Sequence, residues 1–212
     1  MTNVFIDIET IPDQSQGALD RIKETLTPPG NISKQETIDK WWAEKAPEAA
    51  EEKYLKTSLD GTYGRILCIG VALNDMPATV FSGEEDAVLT AFYAFVSGLD
   101  NTMFIGHNIH KFDLPFIRHR SIINRIKPTC AMPDGRFNGQ DAFCTMQSWA
   151  GYGNFIGLDR LCGVLGIDSP KDGIDGSKVW AYVQAGREQE VYDYCKRDVE
   201  ATREVYKRIT FS

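Results

Sequence analysis

The sequence predicts an α/β fold, a mixed β-sheet flanked by helices, and three observations lead there. Strand-like runs rich in Val, Ile and Phe come first, helical periodicity takes over afterwards, and no repeat or low-complexity tract interrupts the order. At 212 residues, 42% of them hydrophobic, the chain can bury the core of one good-sized domain, and residues 1–212 are read as one.

Val4-Phe5-Ile6-Asp7-Ile8-Glu9 opens the chain as a β-branched and aromatic run that Pro12 ends, which predicts a central strand. Between about residues 14 and 62 the composition changes. Pro28-Pro29-Gly30 marks a loop there, and the charged stretch from Ser33 to Lys56 carries helical residues around Trp41 and Trp42, so a helical insertion is expected after the first strand. Arg65 to Leu73 and Ala78 to Ser82 read as the second and third strands, Glu84 to Gly98 as an amphipathic helix, and Thr102 to Gly106 as the fourth strand. A helix from Leu114 to about Ile123 follows, then a Pro- and Gly-rich loop around 128–139 and a short segment at 141–146. Leu158 to Leu165 reads as a helix stopped by Gly166, and a closing helix runs from about Gln189 to Ile209 without Gly or Pro.

The 23 basic and 30 acidic side chains leave a net charge of −7, the opposite of the usual phosphate-binding footprint. Any nucleic-acid function must then rest on local features. A carboxylate cluster that gathers divalent cations would itself add negative formal charge, and the cations would reverse the local field. Cys68, Cys130, Cys144, Cys162 and Cys195 are odd in number and scattered, with no CxxC pair, which fits reduced thiols in a cytoplasmic protein better than a zinc site. No basic-then-apolar leader opens the chain, and the longest apolar run, Ile66 to Leu73, is far short of a membrane span; no membrane partner is expected.

Strand alternation puts Phe5, Asp7 and Glu9 on one face and Val4, Ile6 and Ile8 on the other. Two like-charged carboxylates on a buried strand are costly unless something positive meets them, which a metal would supply; the alternative is that the strand ends early and Glu9 is a solvated rim residue. In the last helix, Val191, Cys195, Asp198, Thr202, Val205 and Ile209 draw an inward stripe that Asp198 interrupts, and Tyr194 lies one turn before it on the same face. Taken alone, Tyr194 reads first as core, and Asp198 equally well as the partner of a nearby Arg203. Asp113 stands where the Leu114-Pro115 helix begins and, taken alone, reads first as its cap. His107, His110 and His119 read as satisfied polar residues rather than ligands.

In chain order, Phe5-Ile6-Asp7-Ile8-Glu9-Thr10, Asn108 through Phe112-Asp113, and Tyr194-Cys195-Lys196-Arg197-Asp198 resemble the three motifs of the DEDD superfamily of 3′-5′ exonucleases. The histidine subclass would carry His where Asp193 stands, and Tyr194 matches the tyrosine subclass, DEDDy. The phrases from Asp7 to Asp13 and from Tyr194 to Val199 look most like the exonuclease domain of family B DNA polymerases and the stand-alone bacterial and phage proteins related to it. The resemblance spans nearly the whole chain apart from about residues 14–62.

That resemblance implies an RNase H-like fold, with one antiparallel strand in the sheet, and two divalent ions, Mg²⁺ or Mn²⁺. It implies that Asp7 bridges both ions, that Glu9 and Asp198 complete the water-activating site, and that Asp113 supports the second ion through water. Tyr194 would orient the water or the phosphate, and Thr10, Asn108 and Phe112 would meet the substrate, with packing the first reading for Phe112. The expected reaction removes nucleoside 5′-monophosphates from 3′ ends, of DNA rather than RNA, single-stranded or frayed. Acidic overall charge predicts salt-sensitive, distributive binding unless a replication or repair partner tethers the protein, in a phage or prophage setting. Arg118, His119, Arg120, Arg125 and Lys127 form a basic run that reads as a phosphate track or, for most of them, a solvated helix face. Trp41 and Trp42 read first as seating a helix, second as a stacking platform.

Three rival readings stand beside this one. Asp-x-Glu after an apolar strand is near the start of haloacid-dehalogenase-like phosphatases, but the second acid is wrong and no Gly-Asp-x-x-x-Asp segment follows. A catalytically weak nucleic-acid-binding or partner-binding module on the same fold, or an exoribonuclease, keeps every residue above.

Overall fold

The computed structural model describes residues 1–130, 132–133 and 141–212. Much of the expected Pro- and Gly-rich loop around 128–139 lies outside the described residues. In chain order the elements are β1 (Thr2–Ile11), α1 (Ala18–Glu24), α2 (Gln35–Glu44), α3 (Ala46–Lys56), β2 (Arg65–Leu73), β3 (Thr79–Ser82), α4 (Glu85–Val96), β4 (Thr102–Gly106) and α5 (Asp113–Ile123). They continue with β5 (Ala142–Cys144), α6 (Thr145–Ala150), α7 (Leu158–Leu165), α8 (Val179–Gln184) and α9 (Glu188–Thr210).

The strands form one sheet in the order β3-β2-β1-β4-β5. β2 runs antiparallel to both neighbours, while β1, β4 and β5 are parallel, so the sheet is mixed with a single reversed strand. The alternation of β1 sorts its side chains by face. Val4, Ile6 and Ile8 join Ile69, Val71 and Phe104 in the core beneath α4 and α5. Phe5 turns the other way, to Ala72, Ile105 and Val199 on the α9 side, and Asp7 and Glu9 share that face with it.

A long helix must pack directly over this second face, and one position permits it. Gly70 stands opposite Asp7 in the β1–β2 ladder. A Cβ there would lie 2.8 Å from Cys195 Sγ and 2.9 Å from Val199 Cγ2, closer than packed atoms approach. The bare backbone at Gly70 therefore lets the middle of α9 settle on the sheet beside β1. A register shift between Glu9 and Thr10, where Leu67 has no opposite partner, bends the ladder at the end of the site.

The insertion is helical, as expected, and has its own small core of Leu26, Ala46 and Ala50 with Trp41 packed against it. Trp41 therefore seats the helices, while Trp42 stands more exposed and meets it edge-on at 5.0 Å. The insertion is tied to the end of β1 by Thr10 Oγ1 donating to the Ser58 carbonyl at 2.7 Å and by the Asp13 amide donating to Thr57 Oγ1 at 2.8 Å.

Two charged readings are corrected by their partners. Arg120 is buried and makes a bidentate pair with buried Glu85, at 2.8 and 2.7 Å, which leaves only Arg118, His119, Arg125 and Lys127 of the basic run exposed. Glu85 also accepts from the Ile66 amide and from Asn124, so the group locks α4 and α5 to the start of β2. Arg203 turns away from Asp198, to the Met76 and Asn74 carbonyls and to Glu200. No described helix is long and apolar enough to cross a membrane.

Candidate active site

β1 and α9 bring Asp7, Glu9 and Asp198 together, with one carboxylate oxygen of each within 4.8 Å of the others. Glu9 and Asp198 are buried, and Asp7 is partly so. Desolvation, then repulsion from Asp198, Glu9 and Asp113, hold the Asp7 carboxyl well above the usual carboxylate range. Glu9 is raised first by burial, with Cys68, Asp198 and Asp113 adding to it. Burial pushes Asp198 up to about 7, although the Tyr194 hydroxyl, Arg197 and Lys171 pull the other way.

Asp113 lies just outside this group, close enough to raise Asp7 and Glu9 electrostatically. It is not the cap that its local sequence suggested. α5 begins at Asp113 itself, no side chain caps it, and the turn that starts at Asn108 supplies backbone acceptors instead, Ile109 O to Leu114 and Phe112 O to Phe116. The Asp113 carboxyl is pushed up to about 7 by burial, opposed by hydrogen bonds from its own amide and that of Ile8 on β1. It is therefore turned toward the strand that carries the other acids.

Tyr194, one turn before Asp198, hydrogen-bonds to that carboxylate. Burial and the surrounding acids raise its pKa, so the phenol stays protonated and acts as a donor. The Cys195 thiol, also raised, through hydrogen bonding with Cys68 and burial, donates toward Asp7 Oδ2 at 3.5 Å. Asp198 Oδ1 is buried and has no hydrogen-bond partner among the described residues. Clustered hard oxygen donors, repelling one another and with an orphaned oxygen among them, are what Mg²⁺ or Mn²⁺ requires, so the donor set fits a divalent ion.

The remaining expected residues are dispersed. Phe112 packs against the core and stacks obliquely on Phe116 at 5.5 Å. Thr10 is buried, with its hydroxyl spent on Ser58. Asn108 holds a left-handed φ of 70°, and its Oδ1 is buried without a hydrogen-bond partner among the described residues. His107 is satisfied, with its ring between Thr145 Oγ1 at 2.9 Å and the Ile156 carbonyl at 2.8 Å.

A cleft of 170 Å³ opens beside Tyr194 and Asp198, walled by Gly157, Leu158, Asp159, Pro170 and Lys171. Lys171 was missed at the sequence level. It belongs to no element, and only the fold sets its loop against α9; the one local signal was a lone Lys in the Gly- and Asp-rich stretch 166–176.

Fold and site together define a nuclease-like α/β protein. The chain belongs to the family described as predicted 3′-5′ exonuclease related to the exonuclease domain of PolB, whose model matches residues 69–212. That match contains Asp113, Tyr194 and Asp198, while Asp7 and Glu9 precede it. An uncharacterized protein of Methanocaldococcus jannaschii is 29% identical over 160 residues, 71% of this chain and 89% of that protein. Among solved structures, the family B DNA polymerase of the hyperthermophilic archaeon Pyrobaculum calidifontis superposes with a TM-score of 0.64 at 17% identity, over 99% of this chain. The chain spans only 24% of that polymerase. The fold is thus the RNase H-like α/β architecture of such exonuclease domains.

Proposed function

We propose that the protein is a tyrosine-subclass 3′-5′ exonuclease that removes nucleoside 5′-monophosphates from single-stranded or frayed 3′ ends of DNA. Asp7, Glu9, Asp113 and Asp198 would hold two divalent ions, Mg²⁺ or Mn²⁺. The observation that carries this reading is the cluster of buried and half-buried carboxylates from β1 and α9, which repel one another. A bound cation offsets that repulsion with the carboxylates ionised, where the metal-free protein can relieve it only by holding protons.

When bound, such ions supply an activated water and stabilise charge on the phosphate and the leaving oxygen. The chain's own groups do the rest. Tyr194, held protonated, is no base at neutral pH, and with Asp198 engaged by an ion its O–H would be released from that carboxylate to orient the attacking water or the scissile phosphate. Lys171 brings positive charge to the cleft where phosphate oxygens would lie, and Asn108, whose buried Oδ1 has no hydrogen-bond partner among the described residues, would meet the substrate only if the segment before Asp113 shifts. The test is a 5′-labelled DNA strand, and its RNA counterpart, incubated with Mg²⁺, Mn²⁺ or chelator and with wild type or Asp7→Ala. A metal-dependent ladder shrinking from the 3′ end of DNA and absent in Asp7→Ala is expected. No ladder, or one that survives the substitution, sinks the reading, and a ladder on RNA alone reassigns the substrate.

A further inference from the structure

Trp149, Tyr152 and Phe155 fall within seven residues and are 47%, 73% and 78% exposed. Aromatic rings of this size ordinarily go to the core, and three this exposed along one short segment mark a contact surface. The segment is a built turn. Gly151 and Gly153 take left-handed φ values of 82° and 83°, and Asn154 Nδ2 closes the turn on the Ala150 carbonyl at 2.9 Å.

Its position is fixed from both ends. His107, the residue before Asn108, grips the Ile156 carbonyl at 2.8 Å, so the segment leading to Asp113 also holds this loop. Directly beyond, Gly157 and Leu158 form the wall of the cleft that contains Tyr194 and Asp198. On the other side Lys111 Nζ sits 5.5 Å from the centre of the Tyr152 ring. The loop therefore runs outward from the cleft and ends beside an ammonium group.

We infer that this loop is the stacking wall for the unpaired bases behind the 3′-terminal nucleotide, with Tyr152 and Phe155 taking base faces and Lys111 a phosphate. The inference rests on the nuclease reading above and deepens it by naming the substrate as a single strand of little sequence preference. Continuity with the cleft that holds Tyr194 and Asp198, and the ammonium group beside the Tyr152 ring, favour nucleic acid over a protein partner. With a net charge of −7 giving a strand little long-range attraction, stacking is the contact such a substrate would use. The Tyr152 ring beside Lys111 offers one base face and one phosphate contact together, a pairing that suits a single strand and that bases already stacked in a duplex cannot use.

The test compares wild type with the Tyr152→Ala/Phe155→Ala double variant. Hydrolysis of a single-stranded oligonucleotide is measured alongside that of thymidine 5′-monophosphate p-nitrophenyl ester, which has no upstream bases. KM for the oligonucleotide is expected to rise roughly tenfold or more. The rate on the ester and the melting temperature should stay unchanged, because both side chains are exposed, and Tyr152→Phe should restore most of the affinity. A parallel arm measures anisotropy of a labelled strand with Ca²⁺ in place of the catalytic ion. If wild type hydrolyses nothing yet loses strand affinity in the double variant, the nuclease reading fails and the stacking wall stands. An oligonucleotide KM within twofold of wild type, or equal binding in the anisotropy arm, overturns it. So does a variant that changes only self-association in sedimentation, which would make the face a protein contact.

Discussion

Asp7 and Gly70 are cross-strand partners, and the absence of a side chain at Gly70 is what allows α9 to bring Asp198 next to Asp7. One glycine thus connects sheet packing to the assembly of the carboxylate cluster.

Gly70→Ala forces a methyl group against Cys195 and Val199, and an overpacked site of this kind costs about 1–3 kcal/mol. A lower melting temperature is expected together with weaker Mn²⁺ binding, because α9 moves away from β1. A variant that melts like wild type and binds Mn²⁺ equally well would show that the close approach positions nothing.

Asp7→Asn should separate stability from function. Removing one of several repelling, buried charges relieves the cluster, so the variant melts higher than wild type in chelator, by about 2–4 °C for each kcal/mol gained. Mn²⁺, which raises the wild-type melting temperature by binding the folded state, no longer does so in the variant. Calorimetry with and without the ion reads both effects, and a variant that melts lower in chelator or keeps the Mn²⁺ shift would falsify the assignment of Asp7.

The metal-free protein should lose stability as pH rises. Asp113 and Asp198 titrate near 7 in the folded chain, above the carboxylate value of about 4 expected when unfolded. The native state therefore holds extra protons between those values, and the contribution is complete below about pH 4 and lost as pH climbs through 7. Melting temperatures in chelator at several pH values should show this decline for wild type more steeply than for Asp113→Asn, while Mn²⁺ affinity rises over the same window because the ion displaces protons. Parallel wild-type and Asp113→Asn curves would exclude the titration.

Arg120 and Arg118 are neighbours on α5 with different work. Arg120→Ala strands buried Glu85 without its partner and should cost about 3–5 kcal/mol in melting experiments. Arg118→Ala, at an exposed position, should stay within about 0.5 kcal/mol. Equal melting temperatures for the two variants would contradict the buried pair.

The parts of this structure that were legible in the sequence are those written in short patterns. Strand alternation correctly put Asp7 and Glu9 on one face, and helical spacing correctly set Tyr194 beside Asp198. What escaped depends on who sits opposite. β5, at Ala142–Cys144, is three residues long and exists because β4 offers it an edge, so periodicity had nothing to register. Gly70 looked like any small residue in an apolar run until α9 was laid over it. Arg120 read as part of a basic run because its partner, Glu85, is 35 positions away, and Asp113 read as a cap because Ile8 is remote in the chain.

Cys195 on α9 touches Asp7 on β1 across 188 positions of chain. A polypeptide emerging from the ribosome therefore carries both halves of the carboxylate cluster only when synthesis of α9 is nearly complete, and closing so long a loop places the site among the slower contacts to form. The carboxylate cluster cannot exist until α9 has been made, and a single backbone cut anywhere between β1 and α9 leaves its two halves joined only by non-covalent contacts.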